Sequence, residues 1–156
     1  MQQGEIVAVC TSPGKGERKT DVGQGLLVAG FGLQADGHGG DWHRQVSLLG
    51  MESIAKMRAA GLDVGPGDFA ENLTTRGLDL CRLPLGTVLR VGAEAVLEIT
   101  QIGKICHDRC AIYYQAGDCV MPKEGIFAVV RRGGPVVKGD TVTVLELGNG
   151  TSTATP

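Results

Sequence analysis

Aromatic side chains are scarce in this chain, at 4%, and only one of them is tryptophan. Its core must therefore be built from aliphatic residues, which the 42% hydrophobic content can supply. Long apolar runs are also missing. Nothing approaches the roughly 18 consecutive apolar residues of a membrane-spanning helix, so no membrane segment is expected. The first residues, Met1-Gln2-Gln3-Gly4-Glu5, carry neither a basic nor an apolar stretch, and no export signal is visible. Net charge is only −2, which argues against a nucleic-acid binder. The five cysteines are an odd number. Without an export signal they read as thiols, ligands or catalytic groups rather than a disulfide framework, and the chain is expected in the cytoplasm.

Glycine, by contrast, is abundant at 25 of 156 residues. That suits a fold of short strands and tight turns. The length fits one domain, expected over 1–147, followed by a small, polar and disordered tail over 148–156. Strand-like runs are Ile6–Cys10, Gly25–Gly32, Val46–Leu49, Phe69–Thr75, two strands about Gly92, Ile126–Val130 and Thr141–Leu145. Met51–Ala60 has the apolar spacing of a helix, closed by Gly61. A second short helix is expected over Cys110–Ala116. Arg131-Arg132-Gly133-Gly134 reads as a basic turn, and Lys15, Arg18 and Lys19 as an exposed loop. Seven to nine short strands with one or two helices predict a mainly β protein, a barrel or sandwich.

The chemistry concentrates after the run Val96–Ile102, in Gly103-Lys104-Ile105-Cys106-His107-Asp108-Arg109-Cys110, with Cys119 close behind. A hydrophobic core needs none of these side chains. Cysteine reacts as thiolate, and neighbouring cations lower its pKa. Lys104, His107 and Arg109 flank Cys106 in sequence, and a helix beginning near Cys110 would favour an anionic sulfur before its N-terminus. Cys106 is thus a candidate nucleophile, persulfide carrier or metal ligand. Two other readings stay open: a zinc set of Cys106, His107, Cys110 and Cys119, and three inert buried thiols. Cys10 and Cys81 read as structural.

A second concentration is the glycine-rich stretch Asp36-Gly37-His38-Gly39-Gly40-Asp41-Trp42-His43-Arg44. Such a backbone allows a ligand to approach closely. Its alternative is a plain connector with surface histidines. Glu71 and Asn72 are adjacent on a predicted strand, so one of them points inward and needs a partner or a ligand, unless the strand is an edge.

These motifs, in this order, resemble a stand-alone MOSC domain of the small prokaryotic branch. The MOSC domain takes its name from the C-terminal part of molybdenum cofactor sulfurase. The resemblance runs from Gly4 to Leu147. It rests on Asp36-x-His38-x-Gly40 leading into His43-Arg44-Gln45-Val46-Ser47-Leu48-Leu49, then Glu71-Asn72-Leu73, then Gly86-Thr87 to Val91-Gly92. Thr100-Gln101-Ile102-Gly103-Lys104-x-Cys106-His107, Gly117-Asp118-Cys119 and Met121-Pro122 complete it. The resemblance implies a MOSC-type β-barrel whose pocket cysteine matches Cys106. That cysteine would carry or transfer sulfur, or ligate the metal of a molybdenum or tungsten pterin cofactor. The sulfur would come from a pyridoxal-phosphate cysteine desulfurase and go to the cofactor or a molybdenum enzyme. No lysine here has the context of an internal aldimine, so pyridoxal phosphate belongs to the partner. Lys104, His107 and Arg109 would hold Cys106 anionic. Asp36, His38, His43, Arg44, Glu71, Asn72 and Lys123 would bind the cofactor, with Arg131 and Arg132 as weaker phosphate contacts. Cys110 and Cys119 would be resolving thiols. Alternatives are a non-catalytic cofactor-delivery module and a lyase or reductase of small sulfur or N-hydroxylated compounds. Where relatives have Gly-Asp, this chain has Ala35-Asp36, and alanine disfavours the positive φ that glycine allows.

Overall fold

A computed structural model of the chain describes residues 2–14, 17–103 and 124–151. The strands are β1 (Gln3–Thr11), β2 (Thr20–Asp21), β3 (Gln24–Val28), β4 (Gly32–Leu33), β5 (Val46–Gly50), β6 (Leu73–Arg76), β7 (Val88–Val91), β8 (Ala95–Ile102), β9 (Ile126–Arg132), β10 (Gly134–Val137) and β11 (Thr141–Glu146). One helix, α1 (Met51–Ala59), and a 3-10 turn at Leu80–Arg82 complete the described elements. Seven strands close into a barrel in the order β11-β7-β8-β9-β5-β6-β1, with β1 pairing back onto β11. A small sheet, β10-β3-β4, lies beside it. The expectation of a mainly β barrel is met.

The barrel explains the apolar run of β9 and that of β5, which only Ser47 interrupts. Side chains alternate between faces along a strand. Val46 and Leu48 on β5, with Ile126, Ala128 and Val130 on β9, belong to the main interior cluster. Leu49 and Phe127 point the other way, into a second cluster with Ile54 and Met57 of α1, Val64 and Phe69. Both faces of these strands are covered, so the usual apolar–polar alternation disappears. Helix α1 ends as its sequence suggests. Gly61 has φ +98°, its N–H donates to Arg58 O, and Leu62 N–H donates to Met57 O, the paired bonds of a Schellman cap.

Several local expectations are corrected. Gly25–Gly32 is not one strand but the hairpin β3–β4, turning at Gly30 with φ +72°. The strand expected from Phe69 begins only at Leu73, because Gly67 and Ala70 take left-handed conformations. Arg131 and Arg132 are the end of β9, not a turn, and Arg131 pairs with Glu98 at 2.7 Å. Lys19 is buried rather than exposed. Cys81 is exposed rather than structural, whereas Cys10 is fully buried. Gly148 N donates to Thr87 Oγ1 and Gly150 N to Leu85 O, which ties residues 148–150 to the approach to β7. No described helix is long and apolar enough to cross a membrane. The expected helix over Cys110–Ala116 lies outside the described residues.

Candidate functional site

The loop between β4 and β5 is set from beneath by a buried ion pair. Lys19 Nζ reaches Asp36 Oδ1 at 2.8 Å, with both side chains fully enclosed. The same Lys19 donates to Ser12 Oγ at 2.9 Å, while Ser12 N donates to Asp36 Oδ1 and His38 N to Asp36 Oδ2, each at 3.0 Å. Burial alone would raise the Asp36 pKa. The His38 ring, Lys19, Asn72 and the Ser12 N–H outweigh it and hold the carboxyl well below its usual range. Ala35 sits in the left-handed region at φ +67°, against its own preference. The Asp36 bonds on its C-terminal side offset that strain. Gly37 is required for a different reason, since a Cβ there would lie 2.7 Å from the backbone of Gly14.

Glu71 and Asn72 lie inside the protein, both with no exposure. Asn72 brackets β1 to β5: its Oδ1 accepts from Ser47 N at 3.0 Å and its Nδ2 donates to Cys10 O at 3.1 Å. Glu71 Oε2 accepts from Thr74 Oγ1 at 2.6 Å and Gly67 N at 3.0 Å, but Oε1 has no hydrogen-bond partner. Burial raises the Glu71 pKa. Burial, with Glu71 nearby, pushes the Cys10 thiol up to about 12, so Cys10 is an inert thiol.

The far half of the loop is different. Trp42 Nε1 donates to His38 O at 2.8 Å. The Arg44 guanidinium lies over the Trp42 ring at 4.6 Å and faces the Phe127 ring at 5.5 Å. His43 Nε2 meets Gln101 Oε1 at 2.7 Å, and Thr100 Oγ1 donates to the His43 carbonyl. Gln101 Nε2 continues to Gly103 O at 2.7 Å, and Gly103 N donates to Gly125 O at 2.6 Å. Three buried nitrogens of this loop have no hydrogen-bond partner among the described residues: His38 Nδ1, His43 Nδ1 and Arg44 Nε. His38 Nδ1 stands 3.6 Å from Asp36 Oδ2, within ion-pair range but too far for a hydrogen bond.

Of the residues singled out in the sequence, Asp36, His38, His43 and Arg44 lie on the loop between β4 and β5. Sequence reasoning missed Lys19, whose partner is 17 residues away, and Gln101, whose only signal was its place before Gly103-Lys104. Cys106, His107, Lys104, Arg109, Cys110, Cys119 and Lys123 lie outside the described residues, as does the zinc set drawn from them. No cluster of three metal-ligating side chains occurs among the described residues. A separate cleft of about 400 Å³ is lined by Ser53, Lys56, Asp79, Cys81 and Glu124, and shares none of the loop's residues. Burial and Asp79 push the Cys81 thiol up, so this sulfur is not activated either.

Residues 34–143 match the family model described as MOSC domain, and the chain belongs to the MOSC domain family. Among solved structures it is similar to YuaD of Bacillus subtilis, with a TM-score of 0.73 at 17% identity, covering 90% of this chain and 94% of that one. YiiM of Geobacillus stearothermophilus gives 0.70 at 19%, covering 96% and 78%. YiiM of Escherichia coli gives 0.65 at 23%, covering 94% and 71%. At these identities the likeness is one of fold. No curated protein matches the sequence.

Proposed function

We propose that this MOSC protein carries sulfur on Cys106 and binds a molybdenum or tungsten pterin cofactor beside it. The observation that carries this reading is the chain of hydrogen bonds from His43 through Gln101 to Gly103. It links Trp42, His43 and Arg44 to the point where the chain enters the Cys106 segment. The bond from Gly103 N to Gly125 O draws the segment's exit to the same point.

An anionic pterin cofactor fits the residues present. Arg44 has its charge stacked on an aromatic face and its Nε unpartnered, which leaves a donor for a phosphate or carboxylate oxygen. When bound, the cofactor supplies a metal–sulfur centre. The chain's own residues do the rest. Arg44 orients the anionic end, with Lys123 as a further phosphate contact. His43 and His38 border the loop. Lys104, His107 and Arg109 favour the Cys106 thiolate. That thiolate attacks the outer sulfur of the desulfurase persulfide. A new S–S bond forms on Cys106, the donor's S–S bond breaks, and the donor leaves as thiolate. Cys106 then holds the sulfur as a persulfide, for which the cofactor or a molybdenum enzyme would be the acceptor. We place this exchange in the cytoplasm, where thiols stay reduced. The free thiols at Cys10 and Cys81 agree with that compartment.

The test is intact mass after incubation with a cysteine desulfurase and cysteine. Wild type should gain about one sulfur, about 32 Da, and Cys106→Ser should gain none. Equal loading of both proteins would refute Cys106 as the carrier.

A further inference from the structure

The carboxamide of Gln101 settles which nitrogen of His43 carries the proton. The Gly103 carbonyl can only accept, so the Gln101 group 2.7 Å from it must be the NH₂. The other end, Oε1, can only accept and lies 2.7 Å from His43 Nε2. His43 Nε2 must therefore be the protonated nitrogen. A neutral imidazole has one N–H, so Nδ1 holds a lone pair. That lone pair is buried and has no hydrogen-bond partner. The ring is steadied around it. Thr100 Oγ1 holds the His43 carbonyl, and Trp42 meets the ring edge-on at 6.0 Å and 77°.

Leaving a buried acceptor unpaired is destabilising. At this position it makes sense as an acceptor kept for a ligand. The neighbouring Arg44 Nε–H is an unpaired donor, so the two side chains offer opposite functions and need not bind the same atom. We propose that Gln101 is a positioning residue that holds His43 as its Nε2–H tautomer, and that His43 Nδ1 is the proton acceptor for a thiol entering the site. The S–H bond breaks, the electron pair stays on sulfur, and the proton moves to Nδ1. The resulting imidazolium is stabilised through Nε2–H by Gln101 Oε1, and the proton later passes to water. This assignment rests on the sulfur-carrying function proposed above only for the identity of the thiol. The tautomer itself is independent of that function.

The experiment is nitrogen-15 NMR of the histidine rings in the full chain, without any sulfur donor, at a pH where the rings are neutral. There are three histidines, and His43→Gln identifies the resonances of His43. Wild type should show protonated Nε2 and bare Nδ1. Gln101→Leu should turn this into a mixture of tautomers. Sulfur loading should fall about 100-fold in His43→Gln, the lower range for loss of a proton acceptor. In Gln101→Leu it should fall less, in step with the lost tautomer. An Nδ1–H tautomer in wild type, or a tautomer indifferent to Gln101→Leu, overturns the proposal. If wild type takes up no sulfur, the proposed function fails, while the NMR result still decides the tautomer.

Discussion

The loop between β4 and β5 has two halves of similar composition and opposite character. In the first, Asp36 satisfies Lys19, Ser12 and the His38 backbone, and its charge never meets water. In the second, His43 and Arg44 are held just as firmly, by Gln101, Thr100, Trp42 and Phe127, yet each keeps one buried nitrogen without a partner. Residue type alone does not tell a completed bracket from an incomplete one. Among the described residues the hydrogen bonds of Asp36 are completed, whereas those of His38 Nδ1, His43 Nδ1 and Arg44 Nε are not.

The largest expected effect breaks the first half. Lys19→Met leaves Asp36 buried without its cation and should cost about 3–5 kcal/mol of unfolding free energy, read by urea denaturation. Replacing both members with apolar residues should cost much less, and a double-mutant cycle isolates the coupling. The pH dependence follows from the same pair. The folded Asp36 pKa lies below its unfolded value, so its stabilisation is present above about pH 4 and is lost as pH falls further. Acid denaturation should thus be less steep once Asp36 is removed.

The second half should respond in binding rather than stability. Arg44→Met keeps packing against Trp42 but removes the charge. It should weaken pterin cofactor affinity about tenfold or more, measured by titration, and lower stability by no more than about 1 kcal/mol of cation–π contact. An equal loss of stability and affinity would mean that Arg44 belongs with the bracket.

Glu71 makes the smallest and most diagnostic case, a bracket left incomplete. Its folded pKa is raised by burial, so its contribution is favourable when protonated and is lost as pH rises from the ordinary carboxylate range through that raised value. Glu71→Gln removes the ionisation and keeps an oxygen for Thr74 and Gly67. It should leave stability unchanged at acid pH and raise it by about 1 kcal/mol above neutral, by thermal melts across pH. A loss at every pH would show that the carboxylate itself is needed.

Much of this was legible in the chain, and the failures have physical causes. The runs Val46–Leu49 and Ile126–Val130 announced strands, but their burial on both faces hid which residues look into the barrel. Lys19 was misread because lysine is seldom enclosed without a partner, and that partner is distant in sequence. Ala35 has a positive φ that its own preference opposes, so only the surrounding bonds predict it. Of Glu71 and Asn72 one was expected to point inward and need a partner; both are buried, and sequence cannot say whether a ligand or the protein supplies the partner. The segment after Gly103 supplied the strongest chemical signal and lies outside the described residues.

Strands β8 and β9 are antiparallel neighbours that pair down to Ile102 and Ile126, and Gly103 and Gly125 close the ladder. The described ends of the intervening segment, Gly103 and Gly125, thus meet at the end of this strand pair. Loop closure depends weakly on length, about 0.6 kcal/mol per doubling. The barrel can therefore accept a different segment between these two glycines without changing register. In such an architecture, new chemistry is installed by exchanging a cassette, and the frame does not have to evolve with it.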